Sequence, residues 1–351
     1  MRRLLLASCT VFVLGCQKTD RPLAPATTPS LSLQFAPQGY NATDLGTLGG
    51  PMARAWSINE RGQISGQSET AAGETHPYLW TATEGMIDLG TLGGSHGSAE
   101  TVNDLGQVVG TATDADGRLR AFLWTRSTGM RDLGTLGGSL AVARSLNNRG
   151  QVVGIAETAS GEFHAFLWSE GEGMNDLGTL GGKSSFAWTI NNLGDVVGTS
   201  SVPSGEQHGF IWTLREGMRD VGFLTPFENT MPVSINERGQ VVTWSERPDG
   251  CDGFLWTEAD GAKQLGHIPG GTCSLARDIN DRGQVVGQGD IPGDPEAHPF
   301  VWTLRDGMQD LGLPPGAQFS GAFAINNQGQ IVGEAGFGGV ALHVFLWTPN
   351  R

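Results

Sequence analysis

Five histidines, His76, His164, His208, His298 and His343, each stand two residues before an aromatic at intervals along this 351-residue chain. Imidazoles recurring at one position are candidate metal ligands, so the first question is whether they could share an ion. They precede apolar runs such as Ala165-Phe166-Leu167-Trp168, which read as strands buried on both faces. If each such strand is third from an innermost one, it lies roughly 10 Å outside it, and neighbouring sheets pack about 10 Å apart. A zinc–nitrogen bond is about 2 Å long, so a shared metal is excluded. The expected role is a structural hydrogen bond to a neighbouring turn, in which Arg120 and Asp252 substitute for histidine.

Other reactive sets are incomplete. Asp114-Ala115-Asp116-Gly117 matches the opening of a calcium loop, but the third acidic ligand and the distal Glu are missing. The chain has no HExxH and no paired-cysteine zinc pattern. Acids number 36, so a carboxylate pair for glycan cleavage stays open as an alternative. No catalytic set, metal or cofactor is expected.

Binding chemistry has a better candidate. Positions fixed in every copy of a repeat serve architecture, so recognition belongs where the copies differ. Three residues before a recurrent Asn stand Trp56, Glu100, Arg144, Trp188, Val233, Arg277 and Phe323, in most copies directly after Ala. Aromatic faces beside Glu and Arg can stack on and hydrogen-bond a sugar, or hold a peptide. Trp56, Glu100, Arg144, Trp188, Arg277 and Phe323 are therefore the expected ligand-binding residues, with plain packing between sheets as the alternative for each.

These side chains need a repetitive scaffold, and the sequence supplies one. The heptad DLGTLGG occupies 44–50, 88–94, 132–138 and 176–182, and further units open at Asp220, Gln264 and Asp310. Each unit carries an apolar residue, Asn, two variable residues and Gly, as in Ile58-Asn59-Glu60-Arg61-Gly62. Asn can bond its own backbone and Gly can turn left-handed, which predicts a tight hairpin into a second strand of the QVVG type. A third strand follows in HAFLW and a fourth in GMxDLG, reached through a loop ending in Gly. Four short strands in about 44 residues, with 54 glycines to serve the turns, predict an all-β, seven-bladed β-propeller. TLGG is then the crossing between blades and not a phosphate loop, because it lacks Lys-Ser/Thr and any βα pattern.

The last unit stops at HVFLWTPNR without a fourth strand, while YNATDLG lies upstream of the first unit. The segment Tyr40–Gly46 is expected to complete the last blade and so pair the free edges of an open array. An open solenoid is the alternative, and it has no use for that displaced strand. The loops between second and third strands vary, from SETAAGETH to QGDIPGDPEAH, and share the TLGG face, where ligand recognition is expected.

At the N-terminus Arg2 and Arg3 precede a short apolar run from Leu4 to Leu14, the pattern of a secretory signal and too short to span a membrane. Val13-Leu14-Gly15-Cys16 resembles the lipobox of bacterial lipoproteins, which implies cleavage after residue 15 and lipid on Cys16. Gln17 after it would, in a Gram-negative host, favour the outer membrane. Residues 16–39 read as a flexible Pro/Ser/Thr tether and 40–351 as the propeller. Losing Arg2 and Arg3 and no acid moves the net charge from −14 to −16, which excludes nucleic acid and anionic membrane surfaces as partners. Cys251 ends one variable loop and Cys273 begins the next inner strand, so one disulfide is expected in an oxidising compartment.

The tokens His164-Ala165-Phe166, DLGTLGG and INxxGQVVG together resemble the HAF-type extracellular repeat family over residues 40–351. The resemblance implies export and repetition and no particular activity. The expected protein is a monomeric, lipid-anchored binding module for an extracellular glycan or an envelope protein, touching membrane only through its anchor. A propeller enzyme acting on extracellular polysaccharide, or a structural envelope component, are the alternatives.

Overall fold

Alternating short apolar and polar runs punctuated by glycine give strands and no helix in the computed structural model, which describes residues 39–222, 231–247, 249–339 and 341–350. The expected signal segment, Cys16 and the tether up to residue 38 lie outside the described residues. Each repeat folds as the sequence pattern dictates. In the first, Gly49–Ile58, Ile64–Thr70, Thr75–Thr81 and Gly85–Asp88 pair in order as an antiparallel sheet. Four later repeats form separate four-stranded sheets, and three groups are joined by single parallel bridges, Met52 to Leu342 and Thr75 to His96. The last repeat takes its fourth strand from the start of the described chain: Tyr40–Asp44 pairs with Leu342–Pro349, Tyr40 opposite Pro349 and Asp44 opposite Phe345.

The recurrent heptad is explained residue by residue. Asp44 Oδ1 accepts a hydrogen bond from Gly46 N at 2.9 Å, and Thr47 Oγ1 donates to Gly50 O at 2.8 Å. Leu45 N donates to Val344 O, and the leucine packs beside the buried core. A Cβ on Gly50 would come within 2.7 Å of Glu69 Cβ, so the chain can pass there only as glycine.

The Asn turns do more than the sequence suggests. Asn59 Oδ1 accepts from Arg61 N and Gln63 N, and Gly62 follows at φ +70°, which is the predicted hairpin. Its Nδ2 also donates to the backbone carbonyl of Asn103, the same residue one repeat on, at 2.8 Å. Asn103 reaches Asn147, then Asn191, Asn236, Asn280 and Asn326 in turn, at 3.0 to 3.3 Å, and Asn326 donates back to Asn59 O at 3.0 Å. All seven are buried, 2 to 5% exposed. A parallel series uses the next residue, whose backbone N–H is accepted by the next repeat's side chain, from Glu60 to Asp104 and onward to Asn327, which returns to Glu60.

Cores lie between repeats. Val109, Leu123 and Leu133 of one repeat pack on Ala141, Val152 and Phe166 of the next. Likewise Ala324, Val332 and Val344 of the last repeat pack on Ala53, Ile64 and Tyr78 of the first. Each fully buried Phe or Leu contributes roughly 1.5–3 kcal/mol of transfer free energy. One inner-strand link is charged: where other repeats use Ser57 or Ser145, Asp278 accepts from Ser234 Oγ at 2.7 Å and Ile325 N at 2.9 Å. Burial pushes its carboxyl up to about 6, against those hydrogen bonds.

Two outcomes follow. Asn147→Asp keeps the acceptor for the turn but loses the donor to Asn191 O, and should cost about 3 kcal/mol in urea unfolding. Asn175→Asp, at an exposed position, is the control, and equal effects would sink the role of the relay. Because the folded pKa of Asp278 exceeds its unfolded value, its charge destabilises the fold above pH 6, and the penalty fades as pH falls towards 4. Asp278→Asn should therefore stabilise the protein by about 3 kcal/mol at pH 7 and by little at pH 4. A gain that does not depend on pH would refute the burial argument.

Candidate ligand-binding site

The seven variable inner-strand residues share a backbone feature that no sequence pattern announced. In the first repeat Ala55 pairs with Gly66 and Ser57 with Ser65, so Trp56 has no partner and forms a β-bulge. The same register shift isolates Glu100, Arg144, Trp188, Val233, Arg277 and Phe323. A bulge re-aims the extra side chain and frees it from pairing constraints, which is why this position tolerates such different residues. In six repeats the preceding Ala faces a Gly, and in the fifth Pro232 faces Thr243. A Cβ on Gly154, opposite Ala143, would fall within 3.0 Å of both Ala143 Cα and Phe166 Cε1.

The expected ligand residues touch one another in sequence around the repeats. Arg144 lies over the Trp188 ring at 5.5 Å and reaches Glu100 Oε2 through Nη1 at 3.3 Å. Glu100 Oε1 accepts from Ser98 Oγ, which accepts from Trp56 Nε1 at 3.0 Å. Trp56 meets Phe323 edge-to-face at 5.5 Å, and Arg277 lies over Phe323 at 5.5 Å. All six are partly exposed. Sequence reasoning missed two neighbours, Arg54 and Glu334. Glu334 is 5% exposed, its Oε2 stands 3.8 Å from Arg54 Nε and has no hydrogen-bond partner. Burial raises its carboxyl above the usual range, opposed by Arg54 and Arg277. Only the internal comparison of repeats, extended to the second strand, could have flagged it, since Gln67, Thr111, Ile155, Thr199, Trp244 and Gln288 hold that place elsewhere.

The bulges fall near the Asn-turn end of each inner strand, away from the TLGG crossings. The long-loop face expected to carry recognition therefore lies at the other end of these strands. That face holds the histidines, whose partner is a strand residue and not a neighbouring turn. His76 bonds Asp88 at 2.9 Å, His164 Asp176, His208 Asp220 and His298 Asp310, each the Asp that ends its own fourth strand in DLG, or in DVG for Asp220. Arg120 pairs with Asp132 at 2.8 Å in the same way, and the fifth repeat inverts the pair, with Gln264 donating to Asp252. His343 takes Asp44 from the N-terminal strand at 2.8 Å, and that carboxylate raises the imidazole pKa. Among the described residues no group of three or more metal-type ligands converges.

A disulfide joins Cys251 to Cys273, with Cα atoms 4.3 Å apart, across a parallel bridge between consecutive repeats. A separate cleft of about 370 Å³, walled by Arg219, Arg238, Trp256 and Glu258, contains none of the bulge residues.

No family model matches the sequence, and no curated protein matches it. Solved structures do. The β-propeller domain of the Trilobed protease from Pyrococcus furiosus, described as having an open velcro topology, aligns with TM-score 0.56 at 10% identity over 85% of this chain and 95% of its own. Virginiamycin B lyase from Staphylococcus aureus aligns with TM-score 0.53 at 10% identity, over 88% and 99%. The acylaminoacyl peptidase from Pyrococcus horikoshii aligns with TM-score 0.54 at 10% identity, over 88% of this chain and 53% of that one. At such identities the likeness concerns the fold alone, and that fold is the β-propeller.

Proposed function

We propose that this chain is an exported, seven-bladed β-propeller, lipid-anchored through Cys16, that binds an extracellular glycan at a ring of bulge residues around its axis. The contact chain from Trp188 through Arg144, Glu100 and Trp56 to Phe323 and Arg277 carries the reading. Aromatic faces supply an apolar platform for sugar C–H groups, and the guanidinium and carboxylate edges supply directional hydrogen bonds. Seven blades agree with the Asn relay that returns from Asn326 to Asn59, and closure agrees with the pairing of Tyr40–Asp44 and Leu342–Pro349. Export and anchoring rest on the lipobox-like Val13-Leu14-Gly15-Cys16, on the HAF-type resemblance and on the single disulfide.

The site reading is tested by titrating residues 17–351 with a panel of envelope and environmental polysaccharides, following thermal shift and Trp fluorescence. A ligand of the folded state must raise the melting temperature by mass action. One polysaccharide should do so, and Trp188→Ala should abolish the shift. A silent panel would move the case to an envelope protein as ligand. Closure has its own check: a chain starting at Leu45 should melt well below one starting at Tyr40, whereas equal melting would favour an open array.

A further inference from the structure

We propose that the cleft between the fourth and fifth repeats is a second site, independent of the bulge ring, for a small zwitterion with an apolar side chain: an apolar α-amino acid or a short apolar peptide. The cleft exists because one repeated side chain is cut short. Four residues after the turn Asn stand Gln63, Gln107, Gln151, Gln240, Gln284 and Gln330, but the fourth repeat has Asp195. Each Gln Oε1 accepts from its own Asn Nδ2 at 2.7 to 2.9 Å and also covers the turn glycine of the next repeat. A Cβ on Gly62, Gly106, Gly150, Gly194, Gly283 or Gly329 would find that Oε1 at 3.3 to 3.9 Å, whereas one on Gly239, the glycine that follows Asp195 in this order, would find nothing within 4 Å. Asp195 is one methylene too short to fill the place, and Asn191 Nδ2 reaches its Oδ2 at 3.2 Å. The Asn relay is also longest at this junction, 3.3 Å from Asn191 to Asn236 O.

The resulting cleft of about 370 Å³ lies within the range of small-molecule pockets, roughly 300–1,000 Å³. Ile211, Ile235 and Trp256 give it apolar walls. The indole is open to it. Arg131 pairs with Glu170 and covers Trp168 from 5.1 Å, but Arg219, in the same pair with Glu258, makes no such stack on Trp256 among the described residues. Two lining charges remain unmatched. Asp195 has no cationic partner, its Oδ1 accepts no hydrogen bond, and the Arg238 guanidinium has no partner among the described residues. Asp195 is partly exposed and Arg238 exposed, so both are within a ligand's reach. An apolar pocket bounded by one such carboxylate and one such guanidinium is complementary to an ammonium and a carboxylate carried on one apolar body. A ligand with a single charge leaves one of the two unmatched.

Calorimetry on the full-length chain uses phenylalanine, hydrocinnamate, which lacks the ammonium, and phenethylamine, which lacks the carboxylate. Phenylalanine should bind, and each analogue should bind about tenfold or more weakly, as loss of one charged hydrogen bond predicts. Asp195→Asn keeps the opening and removes the charge, so it should weaken phenylalanine about tenfold without weakening hydrocinnamate. Arg238→Gln should weaken phenylalanine without weakening phenethylamine. Asp195→Gln restores the residue of the other six repeats, so it should abolish binding while melting at or above the wild-type temperature. Tighter binding of phenylalanine than of the dipeptide phenylalanyl-leucine assigns the site to a free amino acid, and the reverse assigns it to a peptide. Analogues that match phenylalanine overturn the zwitterion. Undiminished binding to Asp195→Gln, or no binding of phenylalanine and dipeptide alike, overturns the site.

Discussion

The Asn side chain at the end of each inner strand satisfies two demands at once, and the rest of the molecule is arranged around that economy. A tight hairpin leaves backbone N–H groups facing inward, and a buried, unpaired N–H costs as much as a lost hydrogen bond. Asn Oδ1 takes two of them in its own turn. The amide nitrogen that remains carries two hydrogens, one donated to Gln63 Oε1 in its own turn and the other to the carbonyl of the next repeat's Asn. Gln cannot replace it without moving the turn, and Asp has no donor. Each repeat therefore specifies both its own hairpin and the distance to its neighbour with one residue.

Regularity at the turn releases the bulge. Where Ala on the inner strand faces Gly on the second, the backbones approach closely, and the residue after that Ala belongs to no ladder. The fold thus separates two tasks along one strand. The buried positions alternate to build cores between repeats, and the bulge presents a side chain whose identity costs the scaffold little. The departures from symmetry at that level are two Arg–aromatic stacks and a buried Glu334 where the other repeats carry uncharged residues.

The repeat, its four strands and the role of the N-terminal strand were legible because each depends on local pattern: period-two alternation, glycine at turns, and a missing strand at one end with a spare at the other. The variable residues were legible too, through comparison of copies. What the pattern could not show was register. Trp56 and its counterparts look like ordinary strand residues until the pairing of Ala55 with Gly66 and Ser57 with Ser65 leaves them out. Partners far apart in sequence were equally hidden. Nothing about His164 alone says that its hydrogen bond goes to Asp176, though the inverted pair of Asp252 and Gln264 is a correlated exchange that side-by-side repeats display. Glu334 escaped because its neighbours, Arg54 and Arg277, come from the first and sixth repeats.

The pairing of Tyr40–Asp44 with Leu342–Pro349 ties folding to chain synthesis. Every other sheet closes within one repeat, but His343 and Asp44 meet across 299 residues. Loop-closure entropy grows only logarithmically, so this contact costs about 2 kcal/mol more than one spanning a single repeat. Time, and not free energy, is the larger consequence. The first repeats can form as soon as they emerge, yet the last sheet lacks its outer strand until both ends of the chain exist together. In the meantime Tyr40–Asp44 waits without its partner strand, free to add to the Leu342–Pro349 edge of another copy.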